Sequence, residues 1–216
     1  MNPSLKLILI LIISLEISFK PTLWANLILI VGALIFLLLH HLSLKEFLLI
    51  LFFPLLGAIA IFSALYFFAP DHNLFYAWTL FTRLYVFVFL GACLTLTTSP
   101  SQLSRSLEQN LHLPSKFAYG TLAAFNVIPK MKEEVTKIHY AAQMRGTNLS
   151  FWSPRLYFKA ILVALAWAQG LSQGMLAHGY RENQSRSNLQ PILITKKDWL
   201  FFLGILILVQ PIIFFF

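Results

Sequence analysis

Residues 47–69 read FLLILFFPLLGAIAIFSALYFFA, a stretch without a single charged side chain. An α-helix needs about 20 such residues to cross the roughly 30 Å hydrocarbon core of a bilayer. Inside lipid every backbone N–H and C=O must be hydrogen-bonded within the protein, so a spanning segment is either a helix or part of a closed barrel. The strict apolar–polar alternation of barrel strands is absent. Phe47–Ala69 is therefore predicted to be a membrane-spanning helix.

Four more apolar runs lie outward from this one in both directions. Charged residues make up only 11% of the chain, whereas about 25% is usual for a soluble domain. The predicted fold class is an all-α membrane protein with about five transmembrane helices and a cytoplasmic coupling domain of several long helices. The first run has no small-residue cleavage site behind it, so we expect a retained helix and not a removed signal peptide. The four runs are Leu5–Phe19, Thr22–Leu39, Leu74–Thr98 and Trp199–Phe216.

The distribution of basic residues predicts the orientation and the domains. Twelve of the sixteen lysines and arginines lie between Ser99 and Asp198 together with five acids, which leaves that segment a net charge of +7. Loops rich in lysine and arginine stay on the cytoplasmic side, so we expect this segment to be cytoplasmic at a prokaryotic cell membrane. Three domains are predicted: a four-helix transmembrane part at 1–98, the cytoplasmic domain at 99–198 and a last span at 199–216. Alternation places the His40–Glu46 loop inside and the Pro70–Asn73 loop outside.

The cytoplasmic segment keeps the periodicity of helices. Ser99 or Ser101 can cap a first helix, and Pro114 begins another. After Pro129 apolar residues recur at helical spacing as far as Ala142, with charges on the opposite face.

A longer apolar helix is predicted from about Pro154 to His178. Its two ends are both basic, with Arg155 and Lys159 on one side and Arg181 and Arg186 on the other, which disfavours a membrane crossing. Alanine, glycine and serine recur along it and would allow close contact with another helix. We expect it to be buried against its neighbours near the membrane surface.

Two of these helices end in the same way. One finishes Met144-Arg145-Gly146 and the other Ala177-His178-Gly179-Tyr180. A basic residue at a helix C-terminus is favoured by the helix dipole by about 0.3–1 kcal/mol, and the arginine fork can donate several hydrogen bonds to a partner. Glycine lets the chain turn through left-handed angles, which leaves the basic residue at a tip. Two such tips predict two equivalent pockets on a partner.

The endings belong to a pattern that covers nearly the whole chain in one order. The pattern resembles that of the transmembrane T component of energy-coupling-factor (ECF) transporters, a family with cobalt, biotin and thiamine-precursor versions as well as shared modules. It departs from the family at Asn126-Val127, where Arg-Phe is frequent, and at His178, where the family has arginine. The matching motifs are Asn2-Pro3-Ser4-Leu5-Lys6-Leu7, Thr97-Thr98-Ser99-Pro100-Ser101-Gln102-Leu103, Leu107-Glu108, Leu113-Pro114, Ile128-Pro129-Lys130-Met131-Lys132-Glu133-Glu134, Ala142-Gln143-Met144-Arg145-Gly146 and Ala177-His178-Gly179-Tyr180.

The resemblance implies a non-catalytic coupling subunit of an ATP-driven importer of a vitamin or other micronutrient. In such a transporter the T component holds a small substrate-binding S component in the membrane and sits on two cytoplasmic ABC-type ATPases. The ATPases bind ATP and magnesium, and no cofactor is implied for this chain. Arg181 is an alternative to His178 for the second ATPase contact. The residues implied to contact the ATPases are Ala142, Gln143, Arg145, Gly146, Ala177, His178, Gly179 and Tyr180.

A few titratable residues lie within or beside the predicted spans. Glu16 and Arg83 would both lie nearer the outer face, where they could form an ion pair or reach the interface separately; a proton relay is a third alternative. Cys93 is predicted to be a small residue packed between helices. The adjacent His40 and His41 do not share a helix face, so no metal site is predicted.

The sequence also allows other functions. The chain lacks the Gly-x-x-x-x-Gly-Lys-Ser/Thr phosphate loop, so an ATPase must be another chain. A secondary transporter or an integral membrane enzyme is the alternative, although no inverted repeat is visible. A plain membrane scaffold would differ only in lacking ATPase partners. The basic charges are spread among apolar helices, which favours membrane lipid and protein as partners and disfavours nucleic acid.

Overall fold

The computed structural model of the protein describes residues 1–40, 43–68, 73–147, 149–150, 152–181, 184 and 191–215. All regular secondary structure in these ranges is helical, as predicted. Several predicted features lie outside the described residues: Ala69 and Phe216 at the ends of two spans, residues 41–42 and 70–72 of the two loops, and the charged residues Glu182 and Arg186. The helices are α1 (Pro3–Phe19), α2 (Leu23–Leu39), α3 (Leu44–Phe52), α4 (Leu55–Phe68), α5 (Leu74–Thr97), α6 (Pro100–Asn110), α7 (Ser115–Met144), α8 (Pro154–Ala177) and α9 (Lys196–Phe215).

The chain forms two compact units. Unit 1 comprises Met1–Ser106 and Ile192–Phe216, and unit 2 comprises Leu107–Pro191. Helix α5 is central in unit 1, because α1, α2 and α4 all pack against it. One face of α5 contributes Val86 to a cluster with α1, α2 and α9, and another contributes Phe89 to a cluster with α2, α3 and α4.

Small side chains fill the second of these clusters. Ala33, Ala58, Ala92 and Cys93 are all buried in it. Lipid chains are as apolar as leucine, so membrane helices associate through close packing, which small residues permit. Cys93 is 7% exposed, and its Sγ lies 3.7 Å from the Ala33 carbonyl oxygen. The prediction that it is a small residue packed between helices is confirmed.

One buried amide adds a polar link between α2 and α5. The Asn26 side chain is fully buried, and its Nδ2 donates to the Thr79 carbonyl oxygen at 3.0 Å and to Thr82 Oγ1 at 3.2 Å. Interhelical bonds of this kind contribute about 0.6–2 kcal/mol in membrane proteins.

The span predicted at Phe47–Ala69 is interrupted. Helix α3 begins at Leu44, where Ser43 and Glu46 form a capping box, and the chain turns at Pro54 before α4 starts at Leu55. Proline has no N–H and its ring collides with the preceding helical turn, so an unbroken helix through this position is disfavoured. The ladder resumes at once, because Ala58 N donates to the Pro54 carbonyl oxygen at 2.9 Å.

Three helical stretches of the described residues are long and apolar enough to cross a membrane. They are Leu44–Phe68, Leu74–Thr97 and Pro154–Ala177, and Leu23–Leu39 is a shorter apolar helix. The chain is an all-α membrane protein, as predicted. The third stretch is α8, and its expected place at the membrane surface stays a prediction. Its expected burial against neighbouring helices is not found in the described residues, because only Leu156 and Ala160 of α8 are buried.

Helix α6 leads from the end of α5 towards unit 2. Ser99 caps it, since Ser99 Oγ accepts from the Gln102 N–H at 3.3 Å and Gln102 Oε1 accepts from the Ser99 N–H at 3.4 Å. Of the two serines proposed as caps, Ser101 lies inside the helix.

Helices α7 and α8 make up most of unit 2. Helix α7 is continuous for 30 residues and passes through Pro129, where the sequence pattern suggested a fresh start. An interior proline costs about 3 kcal/mol, and α8 packs along α7. The ring of Tyr180, just past α8, meets the ring of Tyr119 edge-on near the start of α7, with centroids 6.3 Å apart. The two helices therefore run antiparallel.

Candidate functional site

The C-terminus of α7 holds Arg145 at a defined turn. Arg145 is the C-cap residue, and Gly146 follows it with φ +72°. Gly146 N donates to the Gln143 carbonyl oxygen at 2.9 Å, and Thr147 N donates to the Ala142 carbonyl oxygen at 3.0 Å. These two bonds define a Schellman motif. The turn satisfies the last carbonyls of the helix and leaves the arginine at its tip.

The C-terminus of α8 has the same geometry. His178 is the C-cap residue, and Gly179 follows with φ +78°. Gly179 N donates to the Leu176 carbonyl oxygen at 3.0 Å, and Tyr180 N donates to the Met175 carbonyl oxygen at 2.9 Å. Arg145 and His178 thus occupy equivalent positions in two Schellman motifs.

Both tips are open to a partner. Arg145 and His178 are exposed, and Met144 beside Arg145 is 87% exposed. Gln143 is already oriented by its own helix, because its Nε2 lies 3.0 Å from Nε2 of the buried His139. The structure therefore presents the backbone turns and basic side chains of the predicted pattern at two accessible surfaces.

The two tips lie at opposite ends of the helix pair. Helix α8 has 24 residues, which at 1.5 Å per residue makes it about 36 Å long. Because α7 and α8 run antiparallel, the Arg145 tip lies beside the start of α8, whereas the His178 tip lies beside the start of α7. The tips cannot enter one pocket together.

Comparison with known proteins identifies the family of the chain. The profile of a family described as cobalt transport protein (CbiQ) matches residues 1–189. The chain belongs to the CbiQ family. Relatives named energy-coupling factor transporter transmembrane protein EcfT agree with this membership, so the resemblance to the T component of ECF transporters is confirmed.

The EcfT relatives match part of the CbiQ-family chain. The protein of Listeria innocua is 32% identical over 128 residues, which is 51% of this chain and 48% of the relative. That of Heliobacterium modesticaldum is 32% identical over 121 residues, 49% of this chain and 46% of the relative. That of Bacillus subtilis is 26% identical over 147 residues, 61% of this chain and 56% of the relative. The chain spans about half the length of the curated relatives it matches.

Glu16 and Arg83 are not paired in the structure of this family member. The Glu16 carboxylate accepts a hydrogen bond from Gln210 Nε2 of α9 at 2.5 Å. No salt bridge joins Glu16 to Arg83 in the described part of the chain, and the buried Nε and Nη2 of Arg83 have no acceptor there. The sequence placed the two charges at one depth, but helix α9 supplies the partner of Glu16.

A buried polar cluster in unit 1 was missed by reasoning from the sequence. Asn2 Oδ1 accepts from the Ser4 N–H at 3.1 Å, from Ser4 Oγ at 2.7 Å and from Ser106 Oγ at 2.8 Å. Asn2 and Ser4 were noted only as part of a family motif, and Ser106 lies outside every motif. No periodic signal connects positions so far apart in the chain.

Proposed function

We propose that this CbiQ-family chain is the transmembrane coupling subunit of an ATP-driven ECF-type importer of a vitamin or other micronutrient. It transmits the conformational change of two cytoplasmic ABC-type ATPases to a substrate-binding S component in the cell membrane. The observation that carries the proposal is the pair of equivalent helix tips, at Arg145 and His178, at opposite ends of one antiparallel helix pair.

Each tip would enter a groove of one ATPase. The guanidinium of Arg145 carries a permanent charge and can donate a bidentate pair of hydrogen bonds to a carboxylate or to backbone carbonyls. A neutral imidazole such as that of His178 has a single N–H donor, so it cannot make the same bidentate pair. We therefore expect the second groove to be less acidic and the second contact to be weaker.

The surface of α8 supports contact with a membrane partner. Its large apolar side chains are exposed, among them Phe158 at 63% and Leu165 at 55%. A methyl group added at Gly170 or Gly174 would meet no atom within 4 Å, so another helix can approach the backbone closely there. This face suits the S component, lipid chains beside it, and anionic headgroups near the basic ends of the helix.

The antiparallel arrangement suits mechanical coupling. Two ATPases that close on ATP would move two tips that are about 36 Å apart along α8, and rigid helices would transmit that movement to whatever lies on their apolar faces. In the proposed transporter the S component recognises the substrate. The ATPases bind the ATP and magnesium.

Purification of the tagged chain from its native membranes tests the proposal. We expect two ATPase chains, or two copies of one, and a small membrane protein to co-purify. Isolation of the chain without any ATPase would contradict the proposal, and a secondary transporter would behave in that way.

Alanine variants then test the tips themselves. Loss of a desolvated charge contact at an interface costs about 2–5 kcal/mol, so Arg145→Ala should lose the ATPases and abolish ATP-dependent uptake. His178→Ala should have a smaller effect. Arg181→Ala tests the alternative second contact, because Arg181 is also exposed but lies beyond the turn at Gly179. Equal losses in Arg181→Ala and Arg145→Ala would assign the second contact to Arg181.

A further inference from the structure

Asn2 forms hydrogen bonds near both points at which the chain passes from one unit to the other. The chain leaves unit 1 after Ser106, and Ser106 Oγ donates to Asn2 Oδ1 at 2.8 Å. It returns at Ile192, and a few residues later Asp198 Oδ1 accepts from the Asn2 N–H at 3.1 Å. Asn2, at the start of α1, therefore forms hydrogen bonds with the helix by which the chain leaves unit 1 and with the segment by which it returns.

Hydrogen bonds within the segment that returns to unit 1 also hold Asp198 in place. Asp198 Oδ2 accepts from Thr195 N at 3.0 Å and from Thr195 Oγ1 at 2.8 Å. Partial burial raises the pKa of the Asp198 carboxyl. The hydrogen bonds from Thr195, the charge of the Met1 amino group and the hydrogen bond from Asn2 together outweigh this effect and hold that pKa below its ordinary value. The group therefore accepts these bonds as a carboxylate.

A second tie joins α1 to the end of α5. Lys6 Nζ donates to Thr97 Oγ1 at 2.7 Å and lies 3.4 Å from Thr98 Oγ1. Thr97 is the last residue of α5, and Thr98 is its C-cap. The segment from the end of α5 to Ser106 is thus fixed to α1 at both of its ends.

Burial makes the Asn2 contacts effective. Ser4 is 1% exposed, Ser106 is fully buried and Asn2 is 5% exposed. Water cannot replace these bonds where they lie, and breaking one without a substitute leaves a buried polar group unsatisfied.

We propose that Asn2, Ser4 and Ser106 form a fixed pivot that positions both chain passages into unit 2 while that unit moves. The inference rests on the proposed coupling function. The three residues are positioning residues: they contact neither substrate nor ATPase, and they act through the helices they hold. When the ATPases move the tips, the intact hydrogen bonds of the pivot transmit that movement to α1 and α5. If these hydrogen bonds broke, the ATPases would hydrolyse ATP without transport.

Ser106→Ala is the selective way to cut this tie. The Ser106 hydroxyl also accepts from the Ser4 N–H at 3.1 Å, but that N–H keeps Asn2 Oδ1 as an acceptor. Asn2 Oδ1 in turn keeps both donors from Ser4. Ser106→Ala therefore removes this hydroxyl contact between α6 and α1, while the Ser4 N–H keeps an acceptor and Asn2 Oδ1 keeps two donors. Ser101→Ala is the matched control, since Ser101 is an exposed serine of the same helix.

The readout separates coupling from folding. The complete transporter is reconstituted in proteoliposomes, and ATP hydrolysis is measured beside uptake of radioactive cobalt ion and of a panel of tritium-labelled vitamins. For Ser106→Ala we expect hydrolysis to stay within about twofold of wild type, while the ATP hydrolysed per substrate imported rises by roughly three- to tenfold, the range that one hydrogen bond represents. Asn2→Asp keeps an acceptor and a helix cap and should couple better than Asn2→Ala. Equal loss of hydrolysis and uptake in Ser106→Ala, or wild-type coupling, would overturn the proposal.

Amide exchange tests the pivot without any substrate. The Ser4 amide of the wild-type complex should be equally protected with and without ATP and vanadate, because the pivot stays closed. Faster exchange at Ser4 in the vanadate-trapped complex would show that the cluster opens and would refute the inference. Failure of the proposed function has a different signature: the chain then purifies without ATPases, whether Ser106 is present or not.

Discussion

Replacement of Gly179 by alanine should loosen the tip of α8 and leave the body of the helix unchanged. Gly179 has φ +78°, and an added methyl group would meet no atom within 4 Å. The whole cost therefore comes from the backbone, where left-handed angles cost a non-glycine residue roughly 1–2 kcal/mol. The Schellman bond from Tyr180 N to the Met175 carbonyl oxygen should open more often by the corresponding factor of about five to thirty.

Residue-resolved amide exchange of the protein in nanodiscs measures this opening. In Gly179→Ala the Tyr180 amide should exchange about five to thirty times faster, while the Thr147 amide at the other tip stays as in wild type. Gly146→Ala should give the reverse, because Gly146 has φ +72° and equally open surroundings. Each tip thus serves as the internal control for the other.

Gly170→Ala supplies a control of opposite sign. Gly170 lies within α8 and also has open space around it, so alanine there should stabilise the helix by about 0.5–1 kcal/mol. Unchanged exchange at Tyr180 in Gly179→Ala would refute the argument that left-handed glycine builds the tip. A similar increase at both tips would instead indicate general destabilisation.

Two further predictions concern unit 1. Thermal unfolding of Glu16→Leu, Gln210→Leu and the double variant should give a coupling free energy of about 1.5–3 kcal/mol, the range for hydrogen bonds to charged groups. The same cycle with Glu16→Leu and Arg83→Leu should give a smaller coupling free energy. A larger coupling of Glu16 to Arg83 than to Gln210 would instead support the ion pair that the sequence suggested. Because the pKa of Asp198 lies below its ordinary value of 3.8, the carboxylate stabilises the fold above that value, and its contribution disappears as the pH falls through the lowered pKa. The melting temperature of Asp198→Asn should therefore fall less than that of wild type between about pH 5 and about pH 3, and parallel curves would contradict this.

The features that could be predicted from the sequence are those that depend on local chemistry. Apolar runs of span length identified membrane helices because lipid leaves the backbone few alternatives. Glycine after Arg145 and after His178 predicted left-handed turns, and both glycines have positive φ. The start of α8 at Pro154 also follows from local preference, since proline fits the first turn of a helix.

Predictions failed where tertiary packing decides between local options. Pro54 and Pro129 offer the same local chemistry, yet the chain turns at the first and continues as a helix through the second. The residue type alone therefore does not determine which of the two outcomes occurs.

The Glu16 contact shows why depth alone does not identify a partner in a membrane. Sequence position gives the height of a residue along its helix, but a contact also needs the rotation of each helix about its axis, and each residue step changes that direction by about 100°. Helices α1, α5 and α9 are apolar on most of their faces, so no polar face in the sequence indicates how each helix is rotated about its axis. Glu16 therefore meets Gln210 and not Arg83 for reasons that only packing contains. The helix tips do not depend on this rotation. A Schellman turn is built from consecutive residues, and it projects beyond the end of its helix whichever way the helix is rotated. A sequence motif at such a tip therefore predicts an accessible surface, whereas a charge inside a span does not identify its own partner.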